Sequence, residues 1–365
     1  MKKLKMFHSA MLIINIITSL LFIIAAFSDS VSPDRTVFFS YLGLLFPLFI
    51  LSNVIFLIYW LVLRKWMFLF IAVCSFLICW KPVSCYVAFH PFAKSPPQHN
   101  TIKLLTYNVM AFGYKNHTAD KPNPVLQYIA DSKADIVCMQ EYMEGRVAGT
   151  LTQEKIAGAL SMYPYHYSLP LIRYNKYTIG LAIYSKYPIL RSWKVRYDSA
   201  FNGSTVHELN VNGKSLIIVN NHLESFKLTM KDRSTYSDFI TNMNSDTFEG
   251  LSETVRQKVG SAFYNRAEQA DIVAEEIGKL NGDYIVACGD FNDTPISYAH
   301  RTIQGKMIDA FAESGNGMGI SYNRGYFWFR IDHIIHSANM RSYKATVEKL
   351  PFSDHNPMWC YLEMK

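Results

Sequence analysis

The chain opens with three long apolar runs. Residues 7–27 are nearly all apolar behind Lys2, Lys3 and Lys5, and residues 38–63 are apolar again. A third run begins at residue 66 and continues less cleanly past Lys81 and Pro82 to about Phe89. A helix that crosses a bilayer needs about 20 apolar residues. The first two runs reach that length, and the third reaches it if Lys81 snorkels to the interface. The pattern predicts about three transmembrane helices, near 7–27, 38–63 and 66–89, in a membrane segment over residues 1–92. Lys2, Lys3 and Lys5 place the N-terminus inside, and Arg64 with Lys65 place the second connection inside. Everything beyond about residue 90 is then expected outside the cytoplasm, in an integral protein of a bacterial-type plasma membrane that contacts the lipid bilayer through its N-terminal helices. The first run also reads as a signal peptide with Ala26-Phe27-Ser28 as a loose cleavage site, which leaves the rest outside as well.

After a short linker over residues 93–100, stiffened by Pro96 and Pro97, the pattern changes to short strands and amphipathic helices. Residues 101–107 alternate as a strand, and 135–139, 178–185, 284–288 and 358–362 read as further strands. Val206 to Val211 and Ser215 to Asn221 flank Asn212-Gly213, a hairpin signal. Asn123-Pro124 starts a helix that runs to about Ser132, and another lies near Thr152 to Leu160. Val255, Val259, Phe263, Ala267, Ala270, Val273, Ile277 and Leu280 recur at three and four, the face of a long helix packed on a sheet. Residues 224–250 are polar and read as a lid, a substrate platform or inert surface. The aromatic and basic stretch from Tyr163 to Tyr177 reads either as a contact for substrate phosphate or rings, or as an exposed loop. Gly315, Gly317 and Gly319 lack a strand-to-helix context and the P-loop lysine, and read as a mobile loop.

Charge follows the same division. Residues before 100 carry eight Lys/Arg and two acids, a net of +6, and the remainder carries 28 basic and 27 acidic residues. The overall +7 therefore belongs to the apolar segment and gives no support to a basic nucleic-acid-binding domain. Three spans with almost no internal charge argue against a transporter or channel. The six cysteines form no disulfide framework and no zinc spacing; Cys138, Cys288 and Cys360 read as small buried thiols.

Polar residues collect where the apolar runs stop. Gly289-Asp290-Phe291-Asn292 follows the run 284–288, and Asp290 and Asn292, two apart, would face one site on an extended chain. A carboxylate there can orient or deprotonate a water, and the amide can hold an oxygen beside it; the competing reading is an Asx-rich turn. Asn108 ends the first strand, and Gln140-Glu141 ends the second, where a carboxylate suits a hard cation such as Mg²⁺. His222 binds phosphate or caps its strand. Asp332 is costly to bury without a partner, and its natural partner is His355 in Ser353-Asp354-His355.

Taken together and in this order, Tyr107-Asn108, Gln140-Glu141, Asn221-His222, Gly289 to Asn292, Ile331-Asp332-His333 and Ser353 to His355 resemble the endonuclease/exonuclease/phosphatase superfamily, over residues 101–365. Gly180 to Pro188 is similar to this family as well. The resemblance implies an α/β fold, a four-layer αββα sandwich of two mixed sheets, here preceded by the membrane segment. It implies Mg²⁺- or Mn²⁺-dependent phosphoester hydrolysis. Glu141 becomes the main metal ligand, with Asn108 and Asp354 near the ion. Asp290 activates the attacking water with Asn292 in support. His355, held by Asp332, stabilises the transition state or protonates the leaving group, and His222 binds phosphate. The expected function is a membrane-tethered phosphodiesterase of nuclease type, with a lipid or small-molecule phosphoesterase as the alternative. The substrate would be nucleic acid or a lipid head group, and no protein partner is inferred. A catalytically idle membrane-bound interaction module would be expected to lack Glu141, Asp290 or His355, and all three are present.

Overall fold

The computed structural model of the chain describes residues 2–92, 94–227, 253, 255–324 and 327–365. From residue 228 onward the polar stretch 224–250 lies outside them, so its reading as lid, platform or surface stays with the sequence.

The apolar segment folds as α1 (Lys2–Ala26), α2 (Phe38–Leu44), α3 (Phe46–Val62), α4 (Trp66–Ile78) and α5 (Trp80–Tyr86). Among the described residues, α1 alone is a single helix long and apolar enough to cross a membrane; α2 with α3, and α4 with α5, qualify as pairs bent by 57° and 68°. Where the pattern predicts one helix over 38–63 and one over 66–89, each run is thus broken. Pro47 sits in the first turn of α3, where a missing N–H costs nothing. Pro82 has no N–H to offer Ile78 four residues back, so α4 cannot run on into α5. A buried polar network ties the helices together. Asn15 Nδ2 donates to Ser19 Oγ, Ser19 Oγ to Asn53 Oδ1 at 2.8 Å, and Trp60 Nε1 to Asn15 Oδ1 at 3.0 Å. Interhelical hydrogen bonds of this kind hold α1 to α3 in apolar surroundings.

The remainder is built from two six-stranded sheets. Their strands are β1 (Thr101–Asn108), β2 (Ile136–Gly145), β3 (Tyr165–Arg173), β4 (Tyr177–Ser185), β5 (Ile189–Lys194), β6 (Gly203–Val211), β7 (Lys214–His222), β8 (Tyr284–Asp290) and β9 (Ile308–Asp309). A two-stranded hairpin, β10 (Tyr322–Arg324) and β11 (Phe327–Phe329), precedes β12 (Asp332–His336), β13 (Met340–Val347) and β14 (Met358–Met364). One sheet has the order β13-β14-β1-β2-β4-β3, the other β5-β6-β7-β8-β12-β9. Each is mixed, with one parallel pair, β1 with β2 and β7 with β8.

Alternation along the strands makes the four layers. Leu104, Ile136, Cys138 and Ile183 meet Ile218, Val286, Cys288 and Ile334 between the sheets. Their neighbours Leu105, Val137 and Met139 face outward against Val125, Leu126 and Ile129 of the helix Pro124–Asp131. Val219, Ala287 and Ile335 face outward against Ala270 and Val273 of the helix Gly260–Lys279. The fold is the αββα sandwich expected. The three cysteines of this part are buried and unpaired.

The stretch Tyr163 to Tyr177 is not a loop: most of it forms β3 and its turn into β4. The glycine-rich segment is also tied down, because Ala88 N donates to Gly317 O at 2.9 Å and Gly317 N to Ala88 O at 2.8 Å. Near it Arg330, almost wholly buried, donates from Nη1 to Met318 O at 3.1 Å and from Nη2 to Cys85 O in α5. Asp29 pairs with Arg301 at 3.0 Å, and the Tyr41 ring meets Phe263 edge-on. The sandwich therefore packs on the ends of α1, α2 and α5 rather than hanging from its linker.

Candidate active site

Both parallel pairs end at the same edge of the sandwich, and their last residues meet there. β1 ends in Asn108, β2 carries Glu141, β7 ends in His222, β8 ends in Asp290 and β12 begins with Asp332. Across the second sheet, His222 is in register with Asp290, and Asp290 with Asp332. Gly289 makes that crossing possible. Its φ is +122°, and a Cβ there would stand 2.1 Å from Asn221 O. Glu141 has φ +50° and lies at an irregularity between β2 and β4, so its side chain leaves the strand and turns into the cleft. The residues beneath hold the two sheets together: Gln140 Nε2 donates to Thr106 Oγ1 and, at 2.6 Å, to Asn220 Oδ1.

Asp290 and Asn292 do not share an extended strand. β8 stops at Asp290, and Asn292 has φ +54°. Its backbone N–H donates to Asp290 Oδ1 at 2.8 Å and its Nδ2 donates to Leu223 O at 2.9 Å. The turn reading holds: an Asx turn delivers Asn292 to the cleft wall beside Asp290.

His355 stands between two carboxylates. Its Nδ1 lies 2.8 Å from Asp332 Oδ2 and its Nε2 lies 3.5 Å from Asp290 Oδ2. Burial favours the neutral ring, but Asp332 and Asp290 together outweigh it and push His355 up to about 10. Asp290 is buried, and burial, with the Asp332 charge, raises it to about 6 against the opposing pull of His355 and His222. His222 Nε2 sits 3.8 Å from Asp290 Oδ2 and 3.9 Å from Glu141 Oε1; burial keeps it below the ordinary histidine value. Between about pH 6 and 10 the cluster thus holds an ionised Asp290 beside a charged His355.

Glu141, Asp290, Asp332 and Asp354 place four carboxyl groups around one cleft. Burial raises Glu141, and the Asp354 and Asp332 charges add to that. Asp332 Oδ1 is buried without a hydrogen-bond partner. A crowded, oxygen-rich donor set of this kind fits a hard divalent cation. Glu141 and Asp354 both line the open cleft. Asn108 turns its amide nitrogen toward the site, 3.2 Å from Glu141 Oε1 and 3.1 Å from Asp290 Oδ2, while its Oδ1 accepts from Met110 N. Through that nitrogen it orients both carboxylates. Asp290, Asp332 and His355 also lie close enough together to hold an ion, but His355 Nδ1 is engaged by Asp332, which favours the acid–base arrangement. His300, Asp309 and His333 form a second buried cluster; there Asp309 Oδ1 accepts from Phe311 N and Ala312 N at a helix start and Oδ2 faces His300.

The cleft, about 270 Å³, is lined by the polar residues Glu141, Asp290, Asn292, Asp354 and His355 and by the apolar and aromatic residues Phe226, Tyr322, Phe327, Phe329 and Ile331. Sequence reasoning missed two supports. Arg266, fully buried in the long helix, donates from Nη1 to Asp293 Oδ2 at 2.7 Å and from Nε to Glu224 O, bracing the turn after Asp290. Tyr322 lays its ring 5.0 Å from that of His355.

A family model described as endonuclease/exonuclease/phosphatase matches residues 105–355. A second, described as a domain of unknown function, matches residues 6–86. The chain matches no curated protein. Among solved structures, an endonuclease/exonuclease/phosphatase from Bacteroides vulgatus is 19% identical, with 73% of this chain and 99% of that one covered and a TM-score of 0.49. One from Beutenbergia cavernae is 14% identical, with 73% and 72% covered and a TM-score of 0.49. The human Nocturnin catalytic domain with bound sulfate is 15% identical, with 73% and 95% covered and a TM-score of 0.49.

Proposed function

The chain belongs to the endonuclease/exonuclease/phosphatase family and is a phosphoester hydrolase; from that premise we propose a membrane-tethered, divalent-metal-dependent phosphodiesterase whose water is activated by Asp290. The observation that carries this reading is the placement of His355 between Asp332 and Asp290 at the point where both sheets end. Asp290, ionised above about pH 6, accepts a proton from water. Asn108 and the Asn292 N–H fix the carboxylate by one bond to each oxygen. His355, charged through Asp332, donates to the phosphoryl oxygen or the leaving group, so acid and base are separate groups with pKa values pushed apart. His222, neutral and close to Glu141 and Asp290, contacts a second phosphoryl oxygen. Glu141 and Asp354 would hold a Mg²⁺ or Mn²⁺ ion, which would supply neutralisation of the charge on the phosphoryl oxygens.

Membrane tethering is supported from two directions. The residues that touch the sandwich, among them Asp29, Tyr41, Cys85 and Ala88, follow α1 or close α5. That is the side opposite the Lys2, Lys3, Lys5 and Arg64-Lys65 ends, as expected for an outward-facing domain. The bonds from Ser19 to Asn53 and from Trp60 to Asn15 support a retained α1 rather than a cleaved signal peptide.

The test is hydrolysis of bis(p-nitrophenyl) phosphate by the full chain with Mg²⁺. Loss of turnover both in chelator and in Asp290→Asn supports the reading. Turnover that survives Asp290→Asn rejects the assigned base, and absence of turnover on any phosphoester favours the idle interaction module.

A further inference from the structure

Part of the cleft lining is apolar. Phe226, Tyr322, Phe327, Phe329 and Ile331 form it. Among the described residues lining this cleft, Lys227 is the only lysine or arginine, and it pairs with Glu224. A nucleic-acid backbone is held by several cations acting on successive phosphates, and the described lining offers one. An aromatic wall does little for a bare phosphate but stabilises an alkyl or acyl group laid along it.

The same wall is fastened to the membrane helices. Phe327 and Phe329 alternate with Trp328 along β11, and Trp328 is 56% exposed. The chain on either side of the hairpin returns to α5. Arg330 directly follows β11 and bonds both Cys85 O and Met318 O, and Gly317, a few residues before β10, pairs with Ala88. The aromatic residues thus rise from the point where the last helix ends, the level at which tryptophan and other aromatic rings are favoured at a bilayer surface.

We propose that the phosphoester cleaved here is carried on an amphiphile drawn from the membrane surface, with its phosphate at Asp290 and His355 and its alkyl or acyl chain along Phe226, Phe327, Phe329 and Ile331. This rests on the phosphodiesterase reading and adds the substrate class to it.

The experiment compares two diesters with one leaving group, methyl and dodecyl p-nitrophenyl phosphate, using the full chain in phosphatidylcholine nanodiscs with Mg²⁺. Covering about three methylenes on the wall raises kcat/KM for the dodecyl ester about fiftyfold over the methyl ester. Phe329→Ser and Phe327→Ser each lower that ratio about tenfold. Partition into the disc raises the ratio equally in all three proteins, so a ratio unchanged in both variants overturns the proposal. Equal kcat/KM for the two esters also overturns it and leaves the phosphodiesterase standing, as does faster cleavage of a single-stranded oligonucleotide than of the dodecyl ester. Cleavage of neither ester nor oligonucleotide overturns the phosphodiesterase reading, and the proposal falls with it.

Discussion

Asp332 Oδ2 and His355 Nδ1 stand 2.8 Å apart, both buried, although 23 residues separate them in the chain. The pair sets the charge of the imidazole whose other nitrogen faces Asp290. Removing the carboxylate charge leaves His355 buried with a weaker counter-charge, and burial then favours the neutral ring. Asp332→Asn is expected to lower kcat about a hundredfold with little change in KM. It also moves the alkaline limb of the rate profile down from about pH 10. A pH profile of the variant checks this, and a purely structural role for Asp332 would leave the alkaline limb where it was.

Asp290 makes the complementary prediction. Burial raises its carboxyl to about 6, and only the ionised form can accept a proton from water. The sign is therefore positive: kcat/KM rises tenfold per pH unit below about 6 and levels off above it. Asp290→Asn removes the rise together with the activity, by about a thousandfold or more. A limb that persists in this variant would assign the base elsewhere.

Glu141 turns toward the open cleft with one oxygen steadied by Asn108. Glu141→Gln keeps its shape and removes a charge that a hard cation requires. The Mg²⁺ concentration for half-maximal activity is expected to rise at least about tenfold, with the thermal midpoint in chelator unchanged or raised, because burial and the Asp354 charge disfavour the ionised side chain. Mn²⁺ binding followed by calorimetry gives a readout independent of turnover.

The strand ends that carry Asn108, Glu141, His222 and Asp290 were legible because an apolar run that stops at a polar residue marks both a buried strand and its mouth; Asp332, read inside an apolar strand, instead opens β12. The pairing of Asp332 with His355 followed from the cost of burying a lone carboxylate. Arg266 was not legible. It sits beside Phe263, Ala267 and Ala270 on a helix whose periodicity cannot distinguish a solvated arginine from a buried one, and its partner Asp293 arrives 27 residues later. β3 was hidden for another reason: Pro170 lies within it, and proline argues against a strand unless, as here, it falls at a break in the register, between Pro170 and Ile172. Asn292 was misplaced because period-two reasoning assumes an extended chain, and β8 had already ended.

Glu313 gives a test of the fold apart from the chemistry. Its Oε2 accepts from Ser342 N and Ser342 Oγ at 2.7 Å each and lies 3.0 Å from His336 Nε2. Burial works against the charge, but the His336 and Ser342 contacts outweigh it and hold Glu313 at about 2. The folded value lies below the unfolded one, so the stabilisation is complete above about pH 4.5 and is lost as pH falls toward 2. Its size is about 2–3 kcal/mol after allowance for partial exposure. Glu313→Gln is expected to lower the thermal midpoint at pH 7, with the deficit against the parent chain shrinking steadily between pH 4.5 and 2.5. A deficit that stays constant over that interval would mean that packing of the side chain, and not its charge, stabilises the corner between β12 and β13.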